Sequence, residues 1–282
     1  MQNVYLNGVS LHDPANGYFV GVPIEGLESS AISTSTYNRA GVDGIRIVTA
    51  YQRERRIALR GLLRSSCDIT HLAMRKAISA LVPPTRDTNS LVQTVPLRFV
   101  DDNGGDYTLQ VVVNGLVMPR SRTNSSEYQL DLIADDYAIS GTTEHSEIVT
   151  VETVGGFSIP FSIPFSFTGG TGGATTIVNA GDAVAYPLIA LDGPLTNPRI
   201  TNSTVGRFLQ LNLTINTGSS VVIDMRNKTI VQGGTTNRIN AMTSTSKWWW
   251  LAPGANTIAL STSVASEAGT AAITWHDAYS GL

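Results

Sequence analysis

Residues 246–260 read SKWWWLAPGANTIAL, a stretch that decides between very different folds for the second half of the chain. It sets Trp248, Trp249 and Trp250 side by side, although the whole chain has only four tryptophans. Successive side chains of a strand point to opposite faces, so Trp249 is predicted to face one way and its neighbours the other. A flat platform of three rings is therefore excluded, and at least one face is expected to be core. We expect structural packing rather than sugar stacking, with a partner-binding hot spot as the third interpretation.

The sequence on either side of the tryptophans predicts an all-β second half. A turn is predicted over 252–256, and the alternation of Ile258 and Leu260 continues as a strand. Beyond residue 170 the chain is rich in Ser, Thr, Asn and Gly and nearly free of helix signals. Short strand-like runs alternate with turns at 208–215, 221–225, 257–264 and 270–276. This spacing indicates a β-sandwich or jelly roll.

The first half carries alternating runs typical of strands together with the signals for one helix. Asp68 is predicted to cap the helix and Pro83-Pro84 to end it, with Arg75 and Lys76 towards solvent. The apolar residues at helical spacing, expected to form the buried face, are Ile69, Leu72, Ala73, Ala77, Ala80 and Leu81. The fold class is therefore mainly β with one helix in the first half.

The charged residues divide the chain into two parts. Of these residues, 27 lie in 1–140 and 14 in 141–282. The composition also changes after residue 140, where Gly155-Gly156, the repeat IPFSIPF at 159–165 and the run GGTGG at 169–173 follow one another. We therefore predict two domains, an α+β domain at 1–140 and an all-β domain at 141–282, with a flexible loop at 169–173.

Composition excludes several classes of protein. A single cysteine allows no internal disulfide, and four scattered histidines do not suggest a metal site. A net charge of −3 with only three lysines gives no basic field for nucleic acid. The N-terminus shows no secretory signal, and no run approaches the roughly 18 apolar residues of a membrane span. We expect a soluble protein made in a cytosol, without cofactor or metal.

The motifs that resemble catalytic or binding sites do not meet the requirements of those sites. The polar turn at 101–106 resembles a calcium loop, but Val112 stands where a glutamate is required, so a hairpin turn is predicted. Asp135-Asp136 are adjacent and point to opposite faces of a strand, so they cannot flank one glycosidic bond. Cys67 precedes the helix with His71 four residues on, yet no third group to orient the histidine is evident. No catalytic residue is predicted.

A run of arginines on one predicted strand is interpreted as part of a subunit interface, because the aromatic residues needed to stack nucleic-acid bases are absent. The acidic residues of the 101–106 turn supply a second candidate patch for contact with a neighbouring subunit. The candidate interface residues are Arg53, Arg55, Arg56, Arg60, Asp101, Asp102 and Asp106.

The second half carries an ordered series of motifs: NAGDAVAYPLIALDGPLTNPRITNSTVGRFLQLNLTINTGSSVVIDM at 179–225, WWWLAPGANTI at 248–258 and ITWHDAYSGL at 273–282. This series resembles the distal tail protein family of bacteriophages with long non-contractile tails. The first half agrees more loosely, through Asn7-Gly8, IEGLES at 24–29, GVDGIRI at 41–47, RIALRGLL at 56–63 and LIADDY at 132–137.

The resemblance implies a structural virion protein at the tail tip, made in the cytoplasm of the host bacterium. It implies a hexameric ring, wide enough for DNA to pass, that joins the tail tube protein to baseplate or tail tip hub proteins and to receptor-binding proteins. It also implies a ring-forming first domain, an outward-facing galectin-like second domain and no catalysis. The alternatives are a carbohydrate-binding module for adhesion to the host surface and, more distantly, a glycan hydrolase.

Overall fold

The computed structural model describes residues 3–82, 92–122, 124–151, 173–264 and 266–282. The predicted helix end at Pro83-Pro84 and most of the Gly- and Phe-rich stretch at 155–173 lie outside these residues. The chain divides into two compact units, unit 1 (Met1–Thr142 with Tyr279–Leu282) and unit 2 (Thr143–Ala278). The predicted class, mainly β with one helix, is confirmed.

Unit 1 contains one α-helix and eleven of the strands described, the last of which continues into unit 2. In chain order they are β1 Asn3–Leu6, β2 Val9–Ser10, β3 Tyr18–Val20, β4 Ile32–Asn38, β5 Ile45–Gln52, β6 Arg55–Arg64, α1 Asp68–Ala80, β7 Val95–Val100, β8 Asp106–Val117, β9 Arg120–Arg122, β10 Ser125–Ala134 and β11 Ile139–Thr150.

The core of unit 1 lies between antiparallel strands that bury one face. One row runs β2-β1-β7-β8-β11, and β10 links β8 to β6, which in turn pairs with β3. Along β6 the side chains of Ile57, Leu59 and Leu63 are buried while Arg56 and Arg60 are exposed. This alternation follows from the two-residue period of a strand and places the core on one side of β6.

The helix α1 buries a different face from the one predicted. Its buried residues are His71, Met74 and Ile78, whereas Ile69 and Leu72 are 84% and 52% exposed. Of the predicted set, Leu81 at the C-cap is buried, as expected. The prediction was wrong for Ile69 and Leu72 because the apolar spacing along this helix fits two stripes. Spacing alone cannot identify the stripe that packs on β6.

Polar contacts hold the helix in this orientation. The buried hydroxyl of Ser126 lies 2.8 Å from Nε2 of His71 and accepts a hydrogen bond from Arg75 at 2.6 Å. Arg75 is therefore half-buried rather than turned to solvent as predicted. The N-cap position belongs to Cys67, and Asp68 is the first helical residue, where its charge favours the helix dipole.

In the described residues of unit 2 the regular elements are strands, apart from a short 3₁₀ turn at Ile239–Ala241. Its further strands are β12 Ala174–Asn179, β13 Leu188–Asp192, β14 Leu195–Thr196, β15 Arg199–Asn202, β16 Arg207–Gln210, β17 Thr214–Ile215, β18 Ser220–Asp224, β19 Thr229–Gln232, β20 Thr236–Asn237, β21 Gly254–Ser261 and β22 Thr270–Tyr279.

Two antiparallel sheets of unit 2 each bury one face, as expected for a β-sandwich. The first runs β11-β22-β13-β18-β19-β20 and the second β12-β21-β15-β16. Every second residue of their central strands is buried, for example Ile189 and Leu191 on β13 and Ile258 and Leu260 on β21. Burial of these alternating apolar side chains is the main force that stabilises the unit.

The tryptophan triplet alternates as predicted. Trp249 is fully buried, while Trp248 and Trp250 are half-exposed. The segment is extended but does not form a regular strand, because only isolated backbone bonds tie it to its neighbours. One of them runs from the N–H of Lys247 to the carbonyl of Phe208 at 2.8 Å. The predicted strand at 248–250 is thus replaced by an irregular extended segment with the same alternation.

The burial of Trp249 predicts a large loss of stability on truncation. Replacing it with alanine is expected to lower the free energy of unfolding of unit 2 by roughly 3–5 kcal/mol, through lost burial and the cavity left behind. Chemical denaturation followed by circular dichroism measures this change. The matched control is Trp248→Ala, which removes a half-exposed ring and is expected to cost far less; equal losses in both variants would contradict the assignment of Trp249 to the core.

Candidate assembly surface

The predicted interface arginines do not form one exposed patch, because Arg55 is fully buried. All five of its N–H groups donate to backbone carbonyls within unit 1, at 2.5–3.1 Å. The acceptors are the carbonyls of Gly26, Leu27, Tyr137 (twice) and Ser280. Burial lowers the pKa of Arg55, and the charges of Asp136 and Glu28 oppose that shift. Arg55 is therefore corrected from an interface residue to an internal anchor.

These bonds also explain why the last residues belong to unit 1. The carbonyl of Ser280 accepts a hydrogen bond from the guanidinium of Arg55, and the N–H of Leu282 donates to the carbonyl of Leu27 at 3.1 Å. Tyr279 packs edge-on against Tyr107, with ring centroids 5.3 Å apart. The division of the chain thus differs from a single cut after residue 140, since Tyr279–Leu282 returns to the first unit.

The other predicted arginines lie at the surface and form ion pairs within the chain. Arg53 and Arg56 both contact Glu54, at 3.4 and 3.1 Å, and Arg60 contacts Glu25 at 3.4 Å. The pKa of Glu54 is lowered, mainly because its carboxylate accepts a hydrogen bond from the Glu54 backbone N–H and secondly because it accepts one from Arg56. Exposed pairs of this kind contribute little stability. Each of the three arginines already has a carboxylate partner within the chain, so electrostatic attraction is a weak basis for an interface here.

The acidic turn is also satisfied internally. Asp101 accepts hydrogen bonds from the N–H groups of Asn103 and Gly105 at 2.8 and 2.7 Å, as a hairpin turn requires. Asp106 receives two bonds from Arg98, at 2.6 and 2.8 Å, and these lower the pKa of its carboxyl group. Asp102 lies exposed in the same turn. Among the described residues, no recorded ion pair joins this turn to the arginines of β6.

The most prominent exposed apolar surface of unit 1 is the β4–β5 hairpin. Its two strands pair only with each other among the described residues, and nearly every side chain of both is exposed. Seven large apolar side chains are 50–68% exposed: Ile32, Tyr37, Val42, Ile45, Ile47, Val48 and Tyr51. An isolated two-stranded hairpin is only marginally stable in water, so a hairpin of this composition is typical of one that a partner covers.

The strand edges of this hairpin lack the usual protection against pairing. Neither strand contains lysine or proline, and Arg46 is their single charged residue. The root of the hairpin is closed by the backbone bond from Arg53 to Ala31 at 2.7 Å, two residues before the buried Arg55. A firmly anchored root and open edges make the hairpin suitable for pairing with another chain.

A second apolar feature of unit 1 lies on the outer side of β3, β6 and β10. It is a groove of about 460 Å³, lined by Phe19, Leu62, Val117, Tyr128 and other residues, among them Arg60 of the predicted set. Burial in the core of unit 1 raises the pKa of Tyr128. The hairpin and the groove are two different apolar patches on one subunit.

The hairpin was missed as a candidate site. The signal present in the sequence was two β-prone runs whose apolar residues fall on both faces, with neither face polar throughout. A strand in the core of a two-layer domain has one polar face, so this pattern indicates a strand pair that needs a cover on both sides.

The remaining chemical candidates do not come together. The thiol of Cys67 is exposed and its pKa is lowered by a hydrogen bond with Thr70, while His71 is buried against Ser126. No group of three or more ligating side chains within the described ranges could hold a metal ion. The helix that the structure describes is not long and apolar enough to cross a bilayer.

Comparisons with known proteins give one family match and several similar folds. Residues 180–279 match the family described as siphovirus-type tail component, C-terminal domain. No curated protein sequence matches the chain. The chain is similar to the crystal structure of phage SPP1 Dit (gp 19.1), which is described as a paradigm of hub adsorption apparatus in phages that infect Gram-positive bacteria. The two sequences are 18% identical, and the alignment covers 97% of this chain and 98% of that one with a TM-score of 0.68. A chain of the phage P2 baseplate in its activated conformation with Ca is similar at 10% identity, 97% and 98% coverage and a TM-score of 0.45.

The burial of Arg55 predicts that its replacement destabilises unit 1. Arg55→Met removes every donor and leaves four carbonyl oxygens without this partner, so we expect a loss of more than about 3 kcal/mol in the free energy of unfolding. The matched control, Arg56→Met, changes an exposed arginine and is expected to stay within about 0.5 kcal/mol of the parent protein. Denaturant unfolding of both variants measures the difference, and a loss below about 1 kcal/mol for Arg55→Met would contradict the anchoring role.

Proposed function

We propose that this chain, whose residues 180–279 form a siphovirus-type tail component C-terminal domain, is the distal tail hub of a long-tailed, non-contractile bacteriophage. In this role it forms a hexameric ring at the tail tip that connects the tail tube to the baseplate or tail tip. The role is structural, without catalysis. The hub is made in the cytoplasm of the host bacterium and becomes part of the virion.

The observation that carries the ring proposal is the exposed β4–β5 hairpin. Seven large apolar side chains on a two-stranded arm represent surface that water solvates poorly and that a neighbouring subunit covers on assembly. The arm belongs to unit 1, which agrees with a ring built by the first domain. We therefore assign the ring interface to the hairpin instead of the charged patches, because their arginines and acidic residues already form ion pairs within the chain.

A ring of identical subunits requires two different complementary patches on each copy. The hairpin supplies a protruding apolar patch and the groove beside β3, β6 and β10 supplies a concave one. Each subunit then covers the hairpin of one neighbour, through the groove or through edge pairing with adjacent strands, and the contacts close after six copies. We assign the contacts with baseplate and receptor-binding proteins to unit 2.

The oligomeric state of hairpin variants tests this proposal. Ile45→Lys combined with Ile47→Lys places two charges on one face of the hairpin tip, where burial against a neighbour would leave them without water. The parent protein is expected to show a particle six times the 30.0 kDa chain mass by light scattering, and a ring by electron microscopy. The variant is expected to be monomeric at micromolar concentration with an unchanged circular dichroism spectrum, since both positions are exposed in the single chain; its melting temperature falls towards that of the dissociated parent protein.

The matched control is Ile69→Lys combined with Leu72→Lys, which makes the same chemical change on the exposed face of α1. We expect this control to assemble like the parent protein. A parent protein that stays monomeric across the accessible concentration range would refute the ring. Assembly by the hairpin variant and not by the control would instead move the interface to α1.

A further inference from the structure

A guanidinium group at the rim of unit 2 is held in place by the tryptophan triplet. Arg207 lies over the ring of Trp250, with 4.3 Å from its Cζ to the ring centroid, and its Nη1 donates to the carbonyl of Trp248 at 3.1 Å. Two restraints of this kind fix the plane of the guanidinium. Its Nε and Nη2 groups have no acceptor among the residues described, so one complete donor edge remains open.

The charge of Arg207 is not neutralised by the part of the chain that the structure describes. No ion pair is recorded there for Arg207 or for the exposed Lys247, which lies next to Trp248 in sequence. Arg199, on the neighbouring strand β15, stacks on Phe208 at 3.7 Å and lies on the opposite face of the β15–β16 pair from Arg207, so it is not part of this site. Arg207 and Lys247 are the two cationic residues next to the triplet in a chain of net charge −3.

The indole of Trp248 is the open aromatic surface of this site. Trp249 is buried and Trp250 is covered by Arg207, whereas Trp248 is half-exposed and has no recorded ring or cation contact in the described ranges. An open indole beside an oriented donor edge can bind a ring by stacking and an anion by paired hydrogen bonds.

The surroundings fit a small polar ligand better than a protein. A stable protein interface covers about 800 Å² per partner around an apolar centre. Among the described residues of unit 2, the exposed large apolar side chains lie neither in the 246–250 segment nor on β16; they are Ile148, Val178, Tyr186, Leu188, Ile239 and Val264. The residues that precede the triplet, 243–246, are all Ser or Thr.

We propose that Trp248, Arg207 and Lys247 form a binding site for an anionic saccharide. A sugar ring stacks on the indole of Trp248, and its carboxylate or phosphate accepts hydrogen bonds from Nε and Nη2 of Arg207, with Lys247 adding a second positive charge. Trp250 and the Trp248 carbonyl act as positioning groups for Arg207. All residues of the site belong to unit 2, so the saccharide-binding proposal does not depend on the ring proposal.

Titration of the full chain with defined saccharides tests the site. The probes are oligogalacturonate for the carboxylate, phosphorylated maltohexaose for the phosphate and unmodified maltohexaose as the neutral reference, followed by tryptophan fluorescence and calorimetry. At least one anionic probe is expected to bind saturably and at least tenfold more tightly than maltohexaose, with affinity falling as salt is raised. The stronger anionic probe identifies which acid the site prefers.

Variants separate the site from general charge attraction. Trp248→Ala, Arg207→Gln and Lys247→Gln are each expected to weaken binding, the first two at least tenfold, with melting temperatures used to confirm folding. The matched control, Arg238→Gln, removes an equal charge from an arginine whose recorded side-chain partner is Gln232, and is expected to bind within twofold of the parent. The proposal is overturned if no anionic saccharide binds saturably, or if the anionic saccharides bind no more tightly than maltohexaose. It is also overturned if Arg238→Gln loses as much affinity as Arg207→Gln, or if a decaglutamate peptide binds as tightly as the anionic saccharides.

Discussion

The structure of unit 1 depends on one buried guanidinium group. Arg55 binds four carbonyl groups that come from three separate parts of the chain, including Ser280, 225 residues away. Burial of a charged group is unfavourable unless its hydrogen bonds are satisfied, and here every donor has an acceptor. The group therefore fixes the start of β6, the loop at 26–27 and the returning C-terminal residues in one geometry.

The hydrogen bonds of Arg55 explain how the β4–β5 hairpin can be exposed and still keep a fixed base on unit 1. The β4–β5 pair leaves unit 1 at residues 31 and 53, close to Arg55, and then extends with little burial of its own. Its root is held by the backbone hydrogen bond from Arg53 to Ala31, while none of the residues that the structure describes covers its apolar surface. A firm root with an uncovered arm favours association between copies over rearrangement within one copy, which is the physical basis of the proposed ring.

In unit 2 the tryptophan triplet has two roles, one in the core and one at the surface. The alternation of an extended segment separates the three rings into one core ring and two rim rings, so a single motif serves packing and surface chemistry together. Trp249 stabilises the sandwich, whereas Trp250 and the backbone of Trp248 orient Arg207. The structural interpretation of the motif therefore applies to its centre, and the proposed saccharide site to its flanks.

The sequence by itself determined the mainly β class, the single helix, the hairpin turn at 101–106 and the alternation at 248–250, because each depends on neighbours within a few residues. It also carried the resemblance to distal tail proteins; residues 180–279 match a siphovirus-type tail component C-terminal domain, and the similarity to SPP1 Dit shows a shared fold. Only the tertiary structure decided that Arg55 is buried, that α1 buries His71 and Met74 rather than Ile69 and Leu72, and that the β4–β5 hairpin is uncovered. A local pattern shows that a face is apolar or charged, whereas what covers that face is set by segments distant in the chain.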